Sequence, residues 1–179
     1  MSREEFQKNS NLIVVKVGSS LLVREGALQL EKIKELACNI AYLRERGKKI
    51  ILVSSGAVAC GMSVMGLSRK RGDIPFKQAM SAIGQSVLMQ TYREVFSPLG
   101  IQVAQILLAP EDTNNRVKYL NARNTFEALL HLGVLPVVNE NDSVAVAEIK
   151  FGDNDRLSAL VASLIDADLL VILSDVEGL

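Results

Sequence analysis

Short β-branched runs alternate along this chain with longer segments whose apolar residues recur every three or four positions. The first pattern is typical of buried strands and the second of amphipathic helices. The strand-like runs lie at 13–17, 49–54, 101–108, 134–138 and 169–173. The helical segments lie at 30–43, 57–65, 75–95, 117–132 and 157–165.

Strands separated by helices of this length predict right-handed crossovers and a mainly parallel sheet with helices on both faces. We therefore expect an α/β fold. In open α/β sheets, ligands bind at the carboxyl edge of the strands. Side chains that directly follow the strands are thus the first candidates for function.

The composition is typical of a single globular domain, since 179 residues with 49% hydrophobic content can bury one sizeable core. Twenty basic and twenty acidic residues cancel, so the net charge gives no support for a nucleic-acid or membrane partner. Residues 1–11 lack the apolar core of a signal peptide, and we expect a cytoplasmic protein. Cys38 and Cys60 are expected to be buried thiols, and no metal site is predicted.

Two strands run directly into small, glycine-containing turns. Lys16 and Gly18 follow the first strand, and Ser55 and Gly56 follow the second. An anion could bind there to backbone NH groups, a hydroxyl group and one ammonium group, which indicates a phosphoryl-transfer site. A tight turn that packs a helix on a strand is the structural alternative for Ser55 and Gly56. A Walker-type phosphate loop is disfavoured because Met62 stands where its lysine is required.

A second polar cluster follows the later strands. Six amide or carboxylate side chains fall within seventeen residues, namely Asn139, Asn141, Asp142, Asp153, Asn154 and Asp155. Carboxylates suit an ammonium group and amides suit a carboxylate, so an amino acid is a candidate substrate. Asp142 and Asp155 are also plausible as turn or cap residues, since Asp155 precedes an apolar helix.

Six motifs in order along nearly the whole chain resemble the glutamate 5-kinases of the amino acid kinase family. They are VVKVGSS, VSSGAVACG, LNARNT, VVNENDSVA, KFGDNDRLSA and LLVILSDVEGL. The resemblance implies a three-layer α/β/α sandwich with a mainly parallel sheet. It also implies ATP-dependent phosphorylation of the side-chain carboxylate of L-glutamate, the first step toward proline. ATP and Mg²⁺ are the implied cofactors, proline an implied feedback inhibitor, and a homodimer or homotetramer the implied assembly.

The resemblance also implies roles for individual residues. Lys16 would offset charge on the transferred phosphoryl group, and Asp155 would orient the Lys16 side chain. The glutamate-binding positions would be Ser55, Gly56, Asn139, Asp142 and Asn154. The nucleotide-binding positions would be Lys16, Gly18, Ser174 and Asp175.

The family's remaining nucleotide-binding segments are expected beyond Leu179. Residues 1–179 would then be the glutamate-binding portion of an amino acid kinase domain, apparently truncated. We expect such a chain to bind glutamate without efficient turnover. A non-catalytic amino-acid-binding module and another member of the amino acid kinase family are the alternatives.

Overall fold

The computed structural model describes residues 10–24, 27–67, 73–109, 115–144 and 154–174. Its strands are β1 (Leu12–Val17), β2 (Val23–Arg24), β3 (Ala27–Leu28), β4 (Lys49–Ser54), β5 (Val103–Leu108), β6 (Leu135–Glu140) and β7 (Leu169–Leu173). Its α-helices are α1 (Ser19–Leu22), α2 (Leu30–Glu45), α3 (Ala57–Val64), α4 (Ile74–Phe96), α5 (Arg116–His131) and α6 (Asn154–Leu164). A 3₁₀ turn (Ser97–Leu99) follows α4.

Five of the described strands form one sheet in the order β5-β6-β4-β1-β7. Every neighbouring pair in this sheet is parallel. The predicted parallel sheet is therefore confirmed. Strands β2 and β3 form a separate antiparallel hairpin after β1.

Alternate residues of the strands face two different cores, because successive side chains of a strand point to opposite faces. On one face, Val15 of β1 packs in a cluster with residues of α2 and α4, such as Ile33 and Leu88. On the other face, Val14 packs in a cluster with residues of α5 and α6, such as Phe126 and Leu157. The predicted three-layer α/β/α sandwich is confirmed by this arrangement.

Helices α3 and α4 approach each other closely through two glycines. A Cβ atom on Gly61 would overlap the backbone carbonyl of Met80, and one on Gly84 would overlap the backbone carbonyl of Ala57. Both positions therefore exclude any side chain while the backbones stay in place. The contact holds α4 beside the turn between β4 and α3, which is one of the predicted site turns.

The predicted elements differ from the structure at a few boundaries. Strand β5 begins two residues later than predicted, at Val103, and α6 begins three residues earlier, at Asn154. Helix α1 and the β2–β3 hairpin were not predicted, because they are too short to show a period. No helix in the described ranges is long and apolar enough to cross a membrane.

The prediction that both cysteines are buried is wrong for Cys38. Cys60 is buried, whereas Cys38 is exposed. The buried stripe of α2 consists of Ile33, Leu36, Ala37 and Ile40. Cys38 follows Ala37 by one residue, which turns its side chain about 100° away from that stripe.

Candidate functional site

The register of the sheet brings four predicted site segments to one edge. At the carboxyl end of β1, Val17 is opposite both Ser54 of β4 and Leu173 of β7. The residues that follow, Gly18, Ser55 and Ser174, therefore leave three neighbouring strands side by side. Val53 is opposite Val138, so Asn139 of β6 comes level with Ser54.

Lys16 and Asp155 form an ion pair at this edge. Lys16 lies on β1 and is only 8% exposed, and its Nζ is 2.5 Å from Oδ1 of Asp155. Asp155 stands in the first turn of α6, and its side chain is 41% exposed. A lysine this deeply buried needs an opposite charge nearby. One side of the pair therefore faces the interior while the other is open to solvent.

Gly18 lies directly beside the ammonium group. A Cβ atom at this position would be 3.7 Å from Nζ of Lys16 and 3.7 Å from the carbonyl oxygen of Leu173. The backbone angles of Gly18 are φ −73° and ψ 156°, which any residue adopts. A Cβ atom would therefore fit in ordinary van der Waals contact, and neither the space nor the backbone conformation at this position requires glycine.

Gly56 is different, because its backbone requires glycine. It caps α3 with φ 97°, in the left-handed region. This conformation turns the chain sharply after Ser55, so that the helix begins immediately beyond the end of β4. Ser55 is thereby held at the edge of the sheet.

The Asn154 side chain connects three segments of the site. Its Nδ2 donates to the Ser54 carbonyl oxygen at 2.9 Å, to Oγ of Ser55 at 2.6 Å and to Oδ1 of Asn139 at 3.2 Å. The two hydrogens of this amide are therefore shared among three acceptors. One residue of α6 thus ties together the ends of β4 and β6.

Asn139 extends this network to α4. It is 3% exposed, and its Oδ1 also accepts from the backbone NH of Glu140 at 2.9 Å. Its Nδ2 donates to Oε1 of Gln85 at 2.9 Å. A buried amide keeps its orientation when both of its ends have partners, and Asn139 meets that condition.

A buried tyrosine supports the end of β4 from the same helix. The Tyr92 hydroxyl is 2.8 Å from Oγ of Ser54. Burial raises the pKa of Tyr92 far above its ordinary value, so the phenol remains neutral at physiological pH. Burial likewise raises the pKa of the Cys60 thiol to about 11, which excludes a thiolate nucleophile at that position near pH 7.

Asp142 lies at the side of the network rather than within it. Its Oδ2 accepts from Oγ of Ser81 at 2.6 Å, and Ser81 is one helical turn before Gln85 on α4. Asp142, Ser81 and Gln85 border a pocket of about 260 Å³. The rest of its lining comes from Ala82, Ser86, Gln105, Leu107, Glu140 and Ser143.

The structure thus brings Lys16, Gly18, Ser55, Gly56, Asn139, Asn154 and Asp155 to one edge, with Asp142 linked to them through α4. Ser174 follows β7 beside Gly18 and is exposed. Asp153 and Asp175 lie outside the described residues. Among the described residues, no group of three or more histidine, cysteine or acidic side chains could hold a metal ion.

Sequence reasoning missed three polar residues of α4 that contact the site. Ser81, Gln85 and Tyr92 are all buried, and each forms a hydrogen bond with a residue of the strand ends. The spacing is a partial signal for two of them: Ser81 and Gln85 are four residues apart, which places them on one side of the helix but does not show that this side faces inward.

The chain is similar to known proteins along nearly its whole length. The profile of the amino acid kinase family matches residues 11–179. The chain is 54% identical over 167 residues to the glutamate 5-kinase of Thermus thermophilus. The matched region covers 93% of this chain and 45% of the relative. It is 50% identical over 179 residues to the glutamate 5-kinase of Clostridium acetobutylicum, covering 99% of this chain and 67% of the relative. The chain spans about half the length of the Thermus relative.

A solved structure is similar in fold at low sequence identity. The structure of Giardia carbamate kinase superposes with a TM-score of 0.65 at 16% identity and covers 94% of this chain and 74% of that one. This likeness concerns the fold alone. It is consistent with the parallel sheet and the two helical layers described above.

Proposed function

Because this chain belongs to the amino acid kinase family, we propose that it is the glutamate-binding portion of a glutamate 5-kinase. Such an enzyme transfers the γ-phosphoryl group of ATP to the side-chain carboxylate of L-glutamate. The observation that carries the proposal is the Lys16–Asp155 ion pair beside the amides of Asn139 and Asn154. Relatives named glutamate 5-kinase at 50–54% identity support the choice of substrate.

The amide and hydroxyl groups are proposed to hold the amino acid. Ser55, Asn139 and Asn154 would bind its carboxylate groups together with the turn at Gly56, and Asp142 would bind its α-ammonium group. Asn154 lies between Ser55 and Asn139, and a carboxylate that it binds would replace one of the acceptors that now share its amide hydrogens. Each of these groups offers a charge or a hydrogen bond that a zwitterion needs.

The proposed chemistry needs no general base. A glutamate side chain has a pKa of about 4.3, so its carboxylate is already ionised near pH 7. One carboxylate oxygen attacks the γ-phosphorus of ATP, the bond to the bridging oxygen breaks, and ADP leaves. The enzyme then contributes positioning and charge stabilisation.

Lys16 and Asp155 are the proposed catalytic residues. The Lys16 ammonium group would offset the negative charge shared by the carboxylate and the phosphoryl group. Asp155 would keep that ammonium group in place, since its Oδ1 is 2.5 Å from Nζ. A fixed charge stabilises a transition state without the cost of reorganising at the moment of reaction.

The nucleotide is proposed to approach along the β1 and β7 ends. Lys16, Gly18, Ser174 and Asp175 would contact it there, and the other nucleotide-binding segments would come from chain outside residues 1–179. Mg²⁺ would arrive as part of the ATP complex and neutralise charge on the phosphates. Proline would compete at the glutamate site, and the kinase would assemble as a homodimer or homotetramer.

Titration calorimetry with L-glutamate tests the proposed substrate. We expect L-glutamate to bind the chain, and Asn154→Ala to weaken binding about tenfold, because one amide then loses its contacts with the ligand. Asn39→Ala, on the exposed side of α2, is the matched control and leaves the affinity unchanged. Absence of binding to the wild-type chain would contradict the proposal.

A coupled ATP-consumption assay tests the phosphoryl transfer. The 179-residue chain is expected to turn over slowly, and a longer chain that includes the remaining nucleotide-binding segments is expected to be active. Lys16→Ala in the longer chain should then reduce kcat by at least about a hundredfold. Glutamate binding with no turnover in the longer chain would instead favour a non-catalytic amino-acid-binding module.

A further inference from the structure

We propose that Gln85 of α4 is a positioning residue that fixes the amide orientation of Asn139 and, through it, the orientation of Asn154. The inference rests on the proposed function, because it assigns Gln85 to the glutamate subsite of that enzyme. Gln85 is 8% exposed and its Oε1 accepts from Nδ2 of Asn139 at 2.9 Å. Gln85 also lines the pocket beside Asp142, but its proposed role is the one exerted through its hydrogen bond with Asn139.

The two ends of a side-chain amide are nearly identical in shape. A half-turn of the Asn139 amide exchanges a donor for an acceptor with little change in shape. In the observed orientation, Oδ1 faces two donors, the backbone NH of Glu140 and Nδ2 of Asn154. In the opposite orientation those two donors would face an NH₂ group, and the Gln85 carbonyl would face an oxygen.

Gln85 supplies the only side-chain acceptor that the described residues offer to Nδ2 of Asn139. Without it, the NH₂ group would be buried without a partner, which costs about 1–3 kcal/mol. A partial rotation of the amide relieves part of that cost, whereas a complete half-turn would face its NH₂ group toward the two donors that Oδ1 now faces. After a partial rotation, the hydrogen bond from Asn154 to Oδ1, already long at 3.2 Å, would weaken, and the Asn154 amide would be held mainly by Ser54 and Ser55.

The packing of α4 fixes the position of the Gln85 backbone relative to the strand ends. The neighbouring residue, Gly84, lets α4 approach the Ala57 carbonyl directly, and Tyr92 is hydrogen-bonded to Ser54 two turns further along. Both contacts fix the height and rotation of the helix relative to the ends of the strands. The Gln85 side chain is thereby placed beside Asn139, and the hydrogen bond between them couples the orientations of the two amides.

The test compares Gln85→Met with Gln90→Met in the full 179-residue chain. Methionine keeps the length of glutamine but has no carbonyl. Gln90 lies on the same helix and is exposed, and its Nε2 donates to Glu94 rather than to the site. We expect Gln85→Met to weaken L-glutamate binding about three- to tenfold by calorimetry, as the loss of one hydrogen bond predicts. Gln90→Met is expected to bind as the wild type does.

A double-mutant cycle distinguishes positioning from general damage to the fold. In an Asn139→Ala background, Gln85→Met should change the affinity by less than about twofold, because its effect passes through Asn139. Equal losses in both backgrounds would overturn the proposal.

Side-chain amide resonances give a second readout that needs no ligand. The Asn139 and Asn154 NH₂ signals should both shift in Gln85→Met and neither should shift in Gln90→Met. If the wild-type chain fails to bind L-glutamate, the proposed function is wrong, whereas these resonances still decide the role of Gln85. Unchanged Asn154 signals in a folded Gln85→Met chain would overturn it.

Gln85→Glu covers the case in which Gln85→Met does not fold. A carboxylate keeps the acceptor for Nδ2 of Asn139, so the Asn154 NH₂ signals should stay near their wild-type positions. A shift of the Asn154 NH₂ signals away from their wild-type positions in a folded Gln85→Glu chain would contradict the proposal.

Discussion

At the scale of single residues, the site depends on a few polar groups that the interior would otherwise exclude. Lys16 is buried, and it is accommodated because Asp155 is 2.5 Å away. Asn139 is also buried, and both ends of its amide have partners. Residues that are costly to bury and fully paired are the ones whose substitution is most informative.

Asp155→Asn is expected to destabilise the chain by about 1–3 kcal/mol. The loss lies between the values for buried and exposed ion pairs, because Lys16 is buried whereas the Asp155 side chain is 41% exposed. Urea denaturation measures it. Asp166→Asn is the matched control, since the Arg123–Asp166 pair is exposed and is expected to contribute less than about 0.5 kcal/mol. Equal losses of unfolding free energy in Asp155→Asn and Asp166→Asn would contradict a special role for the Lys16–Asp155 pair.

Gly56→Ala is expected to cost about 1–2 kcal/mol of unfolding free energy, because φ 97° is strained for any residue with a Cβ atom. Gly18→Ala, where φ is −73°, is expected to cost less than about half of that. Thermal or urea denaturation compares the two variants. A smaller loss at Gly56 than at Gly18 would show that the turn is not held in the left-handed conformation.

At the scale of elements, α4 connects the packing of the fold to the site. Its glycine allows close contact with α3, and its polar residues reach the ends of β4 and β6. The same helix therefore contributes to stability and to the geometry of the proposed glutamate subsite.

Gly84→Ala is expected to destabilise the chain by about 1–3 kcal/mol, because the new Cβ atom would overlap the Ala57 carbonyl. The usual gain of about 1 kcal/mol from replacing glycine in a helix does not offset a backbone clash. Glutamate affinity should fall as well, since α4 must shift. Urea denaturation and calorimetry test both effects, with Gln90→Ala on the exposed side as the control. A glutamate affinity unchanged from the wild type would show that the position of α4 does not affect the proposed site.

Asp168 joins the beginnings of β7 and β1 and is expected to make stability depend on acid pH. Hydrogen bonds from the backbone NH groups of Leu12 and Asn11 lower the pKa of its carboxyl group. The stabilisation is therefore complete above the ordinary pKa of 3.8 and is lost as the pH falls through the lower folded-state value. In Asp168→Asn, the unfolding free energy measured by urea denaturation should decrease less between about pH 5 and pH 2 than in the wild type. An unchanged pH profile would contradict it.

At the scale of the whole molecule, the sequence predicted the layers and the edge of the sheet that carries the site. Its β-branched runs matched β4 and β7 residue for residue, because buried parallel strands leave a continuous apolar signal. The residues that follow those strands then had to meet at one edge. The pairing of Lys16 with Asp155 was expected from the family resemblance rather than from the pattern, and the structure places the two side chains in contact.

The contribution of α4 was not predictable in the same way. Gln85 and Ser81 are polar, and polar residues in a helix usually face solvent. Their burial depends on how α4 is rotated against α3, which is set by the contacts of Gly61 and Gly84. The rotation of one helix against another is a tertiary property. The hydrogen bonds to Asn139 and Asp142 could therefore be identified only from the structure.

A crystal structure of the chain grown with L-glutamate tests the central claim most directly. We expect the side-chain carboxylate within about 3.5 Å of Nζ of Lys16 or Nδ2 of Asn154, and the α-ammonium group at hydrogen-bond distance from Asp142. Glutamate bound with its side chain directed away from the Lys16–Asp155 pair would contradict it.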